Sequence, residues 1–304
     1  MRFHWLGGLA AFLLIACATT RPASDTANAT IAKQVALADE AYELGRFGTA
    51  ASRYRQALLY ARSEDEPQLI APLLHNLGTS LQQSHLCEDA RVAFQEAFDL
   101  YQSIGDDAGA LMSLLGRATC EHALKAPQAK QTLTEVFSNA RSLGNAAVAA
   151  RAASGLAAIS LAQDTSEGEA YVAQAVELAR KSKSNSALGV AYYNEGRLYE
   201  RSANHDRAVE SFRRAAKAYR TIDDHAGLAS ALGRQAALSA LMKHAPLTTA
   251  NLYQRAAHAA ASARQLRRAL KAFESAAKYF DDAGRPEQAG LCRERAKTID
   301  ASLP

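Results

Sequence analysis

The sequence has few aromatic residues and few prolines, and its charges form no single-sign segment. Aromatic residues make up 7% of the 304 residues and prolines number 7, whereas hydrophobic residues, with many alanines, make up 48%. Alanine is the strongest helix former and proline interrupts helices, so this composition predicts an all-α protein. The 35 basic and 31 acidic residues are spread along the chain without a basic tail, which argues against nucleic acid as a partner.

Sequence motifs of catalysis are also missing. We find no glycine loop for phosphate, no His-Glu-x-x-His motif and no nucleophile elbow, and the 8 histidines are scattered. We therefore predict a protein that is not an enzyme, with no catalytic residues, no cofactor and no bound metal.

Beyond the N-terminus the sequence has no apolar run near the roughly 18 residues that a membrane-spanning helix needs. The N-terminus has Arg2, an apolar run from Trp5 to Ala16 and then Cys17, which is the pattern of an export signal. Leu14-Ile15-Ala16-Cys17 resembles a bacterial lipobox. That resemblance implies a signal peptide over residues 1–16 and a palmitate-type lipid on Cys17. The alternatives are an ordinary signal peptide and an uncleaved anchor.

The lipobox resemblance also implies a location. Ala18, and not Asp, follows the cysteine, as in lipoproteins of the bacterial outer membrane. We expect an envelope protein that is lipid-anchored at the outer membrane and faces the periplasm. Residues 17–30 are small and polar without periodicity, so we expect them to form a flexible tether to a repeat domain over residues 31–304.

A column of small residues recurs every 39 to 41 residues along the rest of the chain. Its members are Ala50, Ala90, Ala129, Gly168, Ala208, Thr249 and Ala289. A bulky residue follows four positions later in six of the seven copies, and a small one three positions after that. The spacing i, i+4, i+7 marks one face of a helix.

A second small column lies about a dozen residues before each of these helices. It includes Ala38, Gly78, Gly116, Gly155, Gly196, Gly233 or Ala237, and Ala277. The two columns therefore predict that each repeat unit is a helix, a turn and a second helix. The axes of the two helices should approach closely at the small residues. One such hairpin cannot bury its apolar face alone, so neighbouring hairpins must stack.

These columns resemble the tetratricopeptide (TPR) signature, most clearly in Leu77-Gly78 with Ala90, Phe94 and Ala97. The period near 40 resembles that of long TPR variants. The resemblance implies an all-α, TPR-like α-solenoid of about seven helix-turn-helix repeats in a right-handed superhelix, which serves protein–protein interaction.

Two similar segments predict the turns between hairpins. Tyr101-Gln-Ser-Ile-Gly-Asp-Asp-Ala-Gly109 reappears as Tyr219-Arg-Thr-Ile-Asp-Asp-His-Ala-Gly227. We expect an Asp in each to cap the following helix and the Gly to permit tight geometry.

Cys87 and Cys120 lie where antiparallel packing of successive helices would bring them together. Two unlinked thiols, a disulfide formed in an oxidising periplasm, and a zinc site with His85 and His122 are the three open interpretations.

In TPR arrays the first helix of each repeat lines the groove, and the residue after the small position points into it. That column supplies Arg117, Arg197, Arg234 and Lys278, while His75 and Asn194 lie at flanking positions. One hypothesis is a basic groove that binds an acidic protein or peptide segment. The other is that these arginines pair with carboxylates of adjacent helices.

The leading functional hypothesis is a non-enzymatic envelope lipoprotein that recruits or positions a partner protein, as an assembly factor for pili, secretion, the outer membrane or the cell wall. The alternative is a periplasmic protein that binds a ligand or a metal on a helical scaffold.

Overall fold

A computed structural model describes residues 25–303, which contain fourteen α-helices and no strand. The helices are α1 Asp25–Glu43, α2 Phe47–Glu64, α3 Pro67–Gln83, α4 Cys87–Ser103, α5 Asp107–Ala123, α6 Ala129–Ser142, α7 Ala146–Gln163, α8 Glu167–Ser182, α9 Asn185–Arg201, α10 His205–Thr221, α11 His225–Leu241, α12 Pro246–Ser262, α13 Leu266–Asp282 and α14 Pro286–Asp300. Each helix packs against the next along the chain. The predicted all-α solenoid of seven helical hairpins is confirmed.

The first helix begins earlier than the boundary expected from the sequence. The sequence predicts a repeat domain from Ile31 with a flexible tether before it, whereas α1 begins at Asp25. The residues from Asp25 to Thr30 include no proline or glycine that would end a helix, and Ile31 is buried in the core. Cys17 and the predicted signal peptide over residues 1–16 lie outside the described residues.

The small and bulky columns form the contacts within and between hairpins. Phe94 of α4 is 1% exposed and lies between Gly78 of α3 and Gly116 of α5. A Cβ added at Gly78 would lie 2.9 Å from the ring, and one at Gly116 would lie 2.6 Å from it. The glycines are therefore required by the close approach of a neighbouring aromatic ring, as in a closely packed interior.

The structure corrects the register of the first-helix small column in three hairpins. Gly78 and Gly196 face the bulky residue of their own hairpin, whereas Gly116 and Gly155 face that of the preceding hairpin. An added Cβ at Gly233 would have no atom within 4 Å. The positions equivalent to Gly78 in these three hairpins are fully buried alanines two or three residues later: Ala118, Ala157 and Ala236.

The two similar segments form turns, as predicted. Asp106 caps α5 by accepting a hydrogen bond from the backbone nitrogen of Gly109 at 2.9 Å, and Asp224 caps α11 by accepting one from Gly227 at 2.8 Å. A Cβ at Gly227 would lie 2.5 Å from the ring of Tyr219. This glycine therefore leaves room for the tyrosine that ends the preceding hairpin.

Within the described residues, α7 alone is long and apolar enough to cross a membrane by length and composition. Half of that helix is buried inside the array, where it contacts α5, α8 and α9. Its apolar character is accounted for by its place in the solenoid core.

Candidate functional site

The first helices of the hairpins line the inner side of the array. Contacts join α3 to α5, α5 to α7, α7 to α9 and α9 to α11. Successive second helices, from α2 to α14, have no comparable contacts in the described chain. The array therefore bends with the first helices inside, and we call their inner surface the groove.

Arg151 of α7 lies in the groove without a partner. Its side chain is partly buried and forms no hydrogen bond or ion pair with any of residues 25–303, and burial lowers the pKa of its guanidinium. Arg151 lies two helical turns before the position of α7 that is equivalent to Arg197 of α9, so both arginines lie on the same helix face, and the charge of Arg151 acts on His75 of α3, two hairpins away. The repeat columns of the sequence single out His75 but not Arg151.

His75 is held by contacts to two neighbouring helices. Its Nδ1 lies 3.0 Å from Oγ of Ser113 on α5, and its ring packs edge-on against Phe94 with centroids 5.5 Å apart. Burial, and then the charge of Arg151, lower the pKa of His75 below its usual value. The imidazole is therefore neutral near pH 7 and adds a polar group without a positive charge.

A second histidine–arginine pair follows along the groove. Burial, and then the charge of Arg197 on α9, lower the pKa of His122 on α5. Arg197 is partly buried and forms no hydrogen bond or ion pair in residues 25–303. The charge of Arg197 therefore acts on a residue two hairpins away.

Arg117 does not lie in the groove, because the register of its hairpin differs from the predicted one. Its side chain is 19% exposed, its Nε lies 3.4 Å from Oε1 of Glu121, and it donates a hydrogen bond to Gln95 on α4. Glu121 is 3% exposed. Arg117 and Glu121 form an internal ion pair that compensates two buried charges.

The remaining predicted residues occupy three different settings. Asn194 is 3% exposed, and its amide donates to the backbone oxygen of Ser154 on α7 at 2.8 Å, which ties α9 to α7. Arg234 lies 3.2 Å from Oε1 of Glu200, so a neighbouring carboxylate offsets its charge. Lys278 is exposed near the C-terminal end, over the ring of Tyr279.

Cys87 and Cys120 lie side by side as free thiols. Cys87 begins α4, and Cys120 is fully buried on α5. Burial, and then the neighbouring Cys87, raise the pKa of Cys120 to about 12. Within the described residues, no three histidine, cysteine or acidic side chains are grouped to hold a metal.

The fold defines a TPR-like α-solenoid, and comparisons with solved structures agree. A Rap protein complexed with competence and sporulation factor is 16% identical over 90% of this chain and 75% of its own, with a TM-score of 0.65. Aspartyl phosphate phosphatase F from Bacillus subtilis is 13% identical over 90% and 71%, with a TM-score of 0.66. A Rap conjugation gene regulator of plasmid pLS20, in complex with the Phr* peptide, is 12% identical over 92% and 78%, with a TM-score of 0.61.

Sequence comparisons add no family. No protein-family model matches the chain. No curated protein matches it either. At these low identities the structural similarity establishes the fold, and the chemistry of the groove has to be argued from this chain's own residues.

Proposed function

We propose that this protein is a non-enzymatic scaffold that binds a segment of a partner protein in its groove. The observation that carries the proposal is the pair of partly buried arginines on the inner surface, Arg151 and Arg197, which have no carboxylate partner in the part of the chain that the structure describes. A charge removed from water without a partner is costly, and a partner's carboxylate would offset that cost. Arg117 and Arg234, by contrast, are already paired within the chain.

The structural neighbours support a peptide-binding role for an array of this shape. Two of the three solved structures described above hold a peptide or factor, namely competence and sporulation factor and the Phr* peptide. The groove of this chain is formed by the same type of helical array over about nine tenths of its length. A protein or peptide segment is therefore the class of partner that we propose.

We further propose that the scaffold is an envelope lipoprotein, anchored through Cys17 and facing the periplasm. The support is the lipobox-like Leu14-Ile15-Ala16-Cys17. A diacylated cysteine provides two chains at about 0.8 kcal/mol per buried CH₂, which is enough for stable anchoring. The partner would then be an envelope component, such as part of a pilus, secretion, outer-membrane or cell-wall assembly.

Pull-down from detergent-solubilised envelopes tests the groove. The wild-type protein and Arg213→Glu should recover the same partner, because Arg213 is exposed on α10, a second helix, and pairs there with Glu210. The double variant Arg151→Glu, Arg197→Glu should lose that partner while keeping its helical circular dichroism. Equal recovery by the double variant would show that the groove arginines do not bind the partner.

Two measurements test the rest of the proposal. The wild-type protein should incorporate labelled palmitate and Cys17→Ser should not. If the wild-type protein takes up no label, or if Cys17→Ser takes up as much, the lipid anchor on Cys17 is wrong. Metal analysis of the purified protein addresses the alternative function: stoichiometric zinc would favour a metal-binding protein over a scaffold.

A further inference from the structure

We infer that the groove recognises a peptide through two acidic side chains, one bound at Arg151 and the other at Arg197. This inference rests on the proposed function and names the ligand chemistry of the same surface. The charge of each arginine reaches a histidine on the first helix two hairpins earlier: His75 for Arg151 and His122 for Arg197. Both arginines lie on inner helices, two helical turns apart in register, and form no hydrogen bond or ion pair within residues 25–303.

The guanidinium group suits a carboxylate ligand. Its planar fork of N–H donors binds a carboxylate through two parallel hydrogen bonds, which are charge-assisted and stronger than neutral ones. Each histidine is a neutral polar group, and the Nδ1 of His75 is already engaged with Ser113. An acidic side chain at either position would gain a partner for its charge and offset the partial burial of the arginine.

Acidic residues of the chain itself do not fill this role. Glu121 follows His122 directly on α5 but lies against Arg117, outside the groove. Glu200 lies one turn after Arg197 on α9 but pairs with Arg234 at 3.2 Å. Because the nearby carboxylates are held by other arginines, the charges of Arg151 and Arg197 remain available to a ligand.

The helical geometry sets the spacing of the two acidic residues. Helices α7 and α9 run in the same direction, and Arg197 lies seven positions further along its helix than Arg151 does. Seven residues at 1.5 Å, combined with an axis separation of 8–10 Å, place the two Cα atoms on the order of 14 Å apart. An extended peptide rises about 3.3 Å per residue and returns to the same face every second residue, so the acids should lie about four residues apart.

A peptide selection tests this inference. Random dodecapeptides displayed on phage, with their C-termini fused, are selected on the full-length protein in detergent. Selected peptides are then synthesised with free and amidated C-termini, and their affinities are measured by fluorescence anisotropy. We expect enrichment of two Asp or Glu residues about four positions apart, and about a tenfold or greater loss of affinity when either acid becomes the amide.

Receptor variants assign each acid to its arginine. In Arg151→Gln, removing one of the two acids from the peptide should no longer reduce affinity, and in Arg197→Gln the same should hold for the other acid. In the control Arg213→Gln, removing either acid should still reduce affinity. Three results would overturn the inference and leave peptide binding intact. The selected peptides could bind without a pair of acidic residues, or need only a free C-terminal carboxylate. Alternatively, removal of either acid could reduce affinity as strongly in both arginine variants as in the wild type. Failure to select any peptide would overturn the proposed function as well.

Discussion

Gly116→Ala is the substitution whose effect the packing determines most directly. The added Cβ would lie 2.6 Å from Cε1 and Cζ of Phe94, a ring that is 1% exposed and enclosed between α3 and α5. Because Gly78 limits the ring from the other side, Phe94 has little room to move away. Overpacking of this kind costs about 1–3 kcal/mol in a closely packed core.

Gly233→Ala is the matched control. Gly233 also lies inside a first helix, α11, and follows a leucine and precedes an arginine as Gly116 does, but an added Cβ there has no atom within 4 Å. Alanine in place of glycine in a helix stabilises by about 0.5–1 kcal/mol. The two variants should therefore change the free energy of unfolding in opposite directions, measured by urea titration of the helical circular dichroism at unchanged m-value.

A double variant distinguishes the clash from a general loss of stability. Leucine at position 94 lacks the Cε1 and Cζ atoms that the new methyl group would contact, so Gly116→Ala should destabilise a Phe94→Leu protein less than it destabilises the wild type. A coupling on the order of 1 kcal/mol is expected for residues in contact. If Gly116→Ala proves as harmless as Gly233→Ala, the packing of Phe94 between two first helices is incorrect.

Three further predictions concern ionisable and polar groups. Burial lowers the folded-state pKa of His75 and His122, so the unfolded chain takes up protons at these residues first as the pH falls below about 6.5. The free energy of unfolding should therefore decrease from pH 7 to 5.5. Urea midpoints should show a smaller decrease in His75→Asn than in the wild type. Cys120 should react with a thiol reagent far more slowly than Cys87 in the folded protein, because it is buried and its pKa is about 12; equal rates by mass spectrometry would contradict this. Asn194→Ala should cost about 0.5–1.5 kcal/mol in urea unfolding, because the buried hydrogen bond that ties α9 to α7 is lost, and a neutral result would show that the bond is unimportant.

The number and pairing of the helices could be predicted from the sequence because local rules determine them. A small residue followed at i+4 by a bulky one and at i+7 by another small one describes a helix face that packs closely against its partner. Phe94 and Phe212 fill that bulky position and are almost fully buried. The turn before α5 could be predicted for the same reason, since Asp106 caps the helix within its own segment.

The register within the first helices could not be predicted, because small residues occur at more than one position of these alanine-rich helices. Gly116 and Ala118 are both buried, one against the preceding hairpin and the other at the position equivalent to Gly78. The choice between Gly116 and Ala118 depends on where Phe94 lies relative to α3 and α5, which is a tertiary contact. Because the register of α5 was predicted incorrectly, Arg117 was expected in the groove, whereas it forms an internal ion pair with Glu121.

Arg151 could not be found by comparing columns, and the reason lies in how a solenoid separates packing from binding. The residues at its position in the other first helices are Ala32, Pro72, Met112, Val190, Ser230 and Lys271, which share no chemical property. A position on the inner surface need not fit a neighbouring hairpin, so packing imposes no recurring residue type there. The regular columns of this sequence therefore reflect the fold, while Arg151, which we propose to bind the partner, lies at a position without a recurring residue type. What distinguishes Arg151 is that its charge is partly buried and has no partner among the described residues. This property arises from the packing of several hairpins, from that of His75 to that of Arg151, and not from the local sequence.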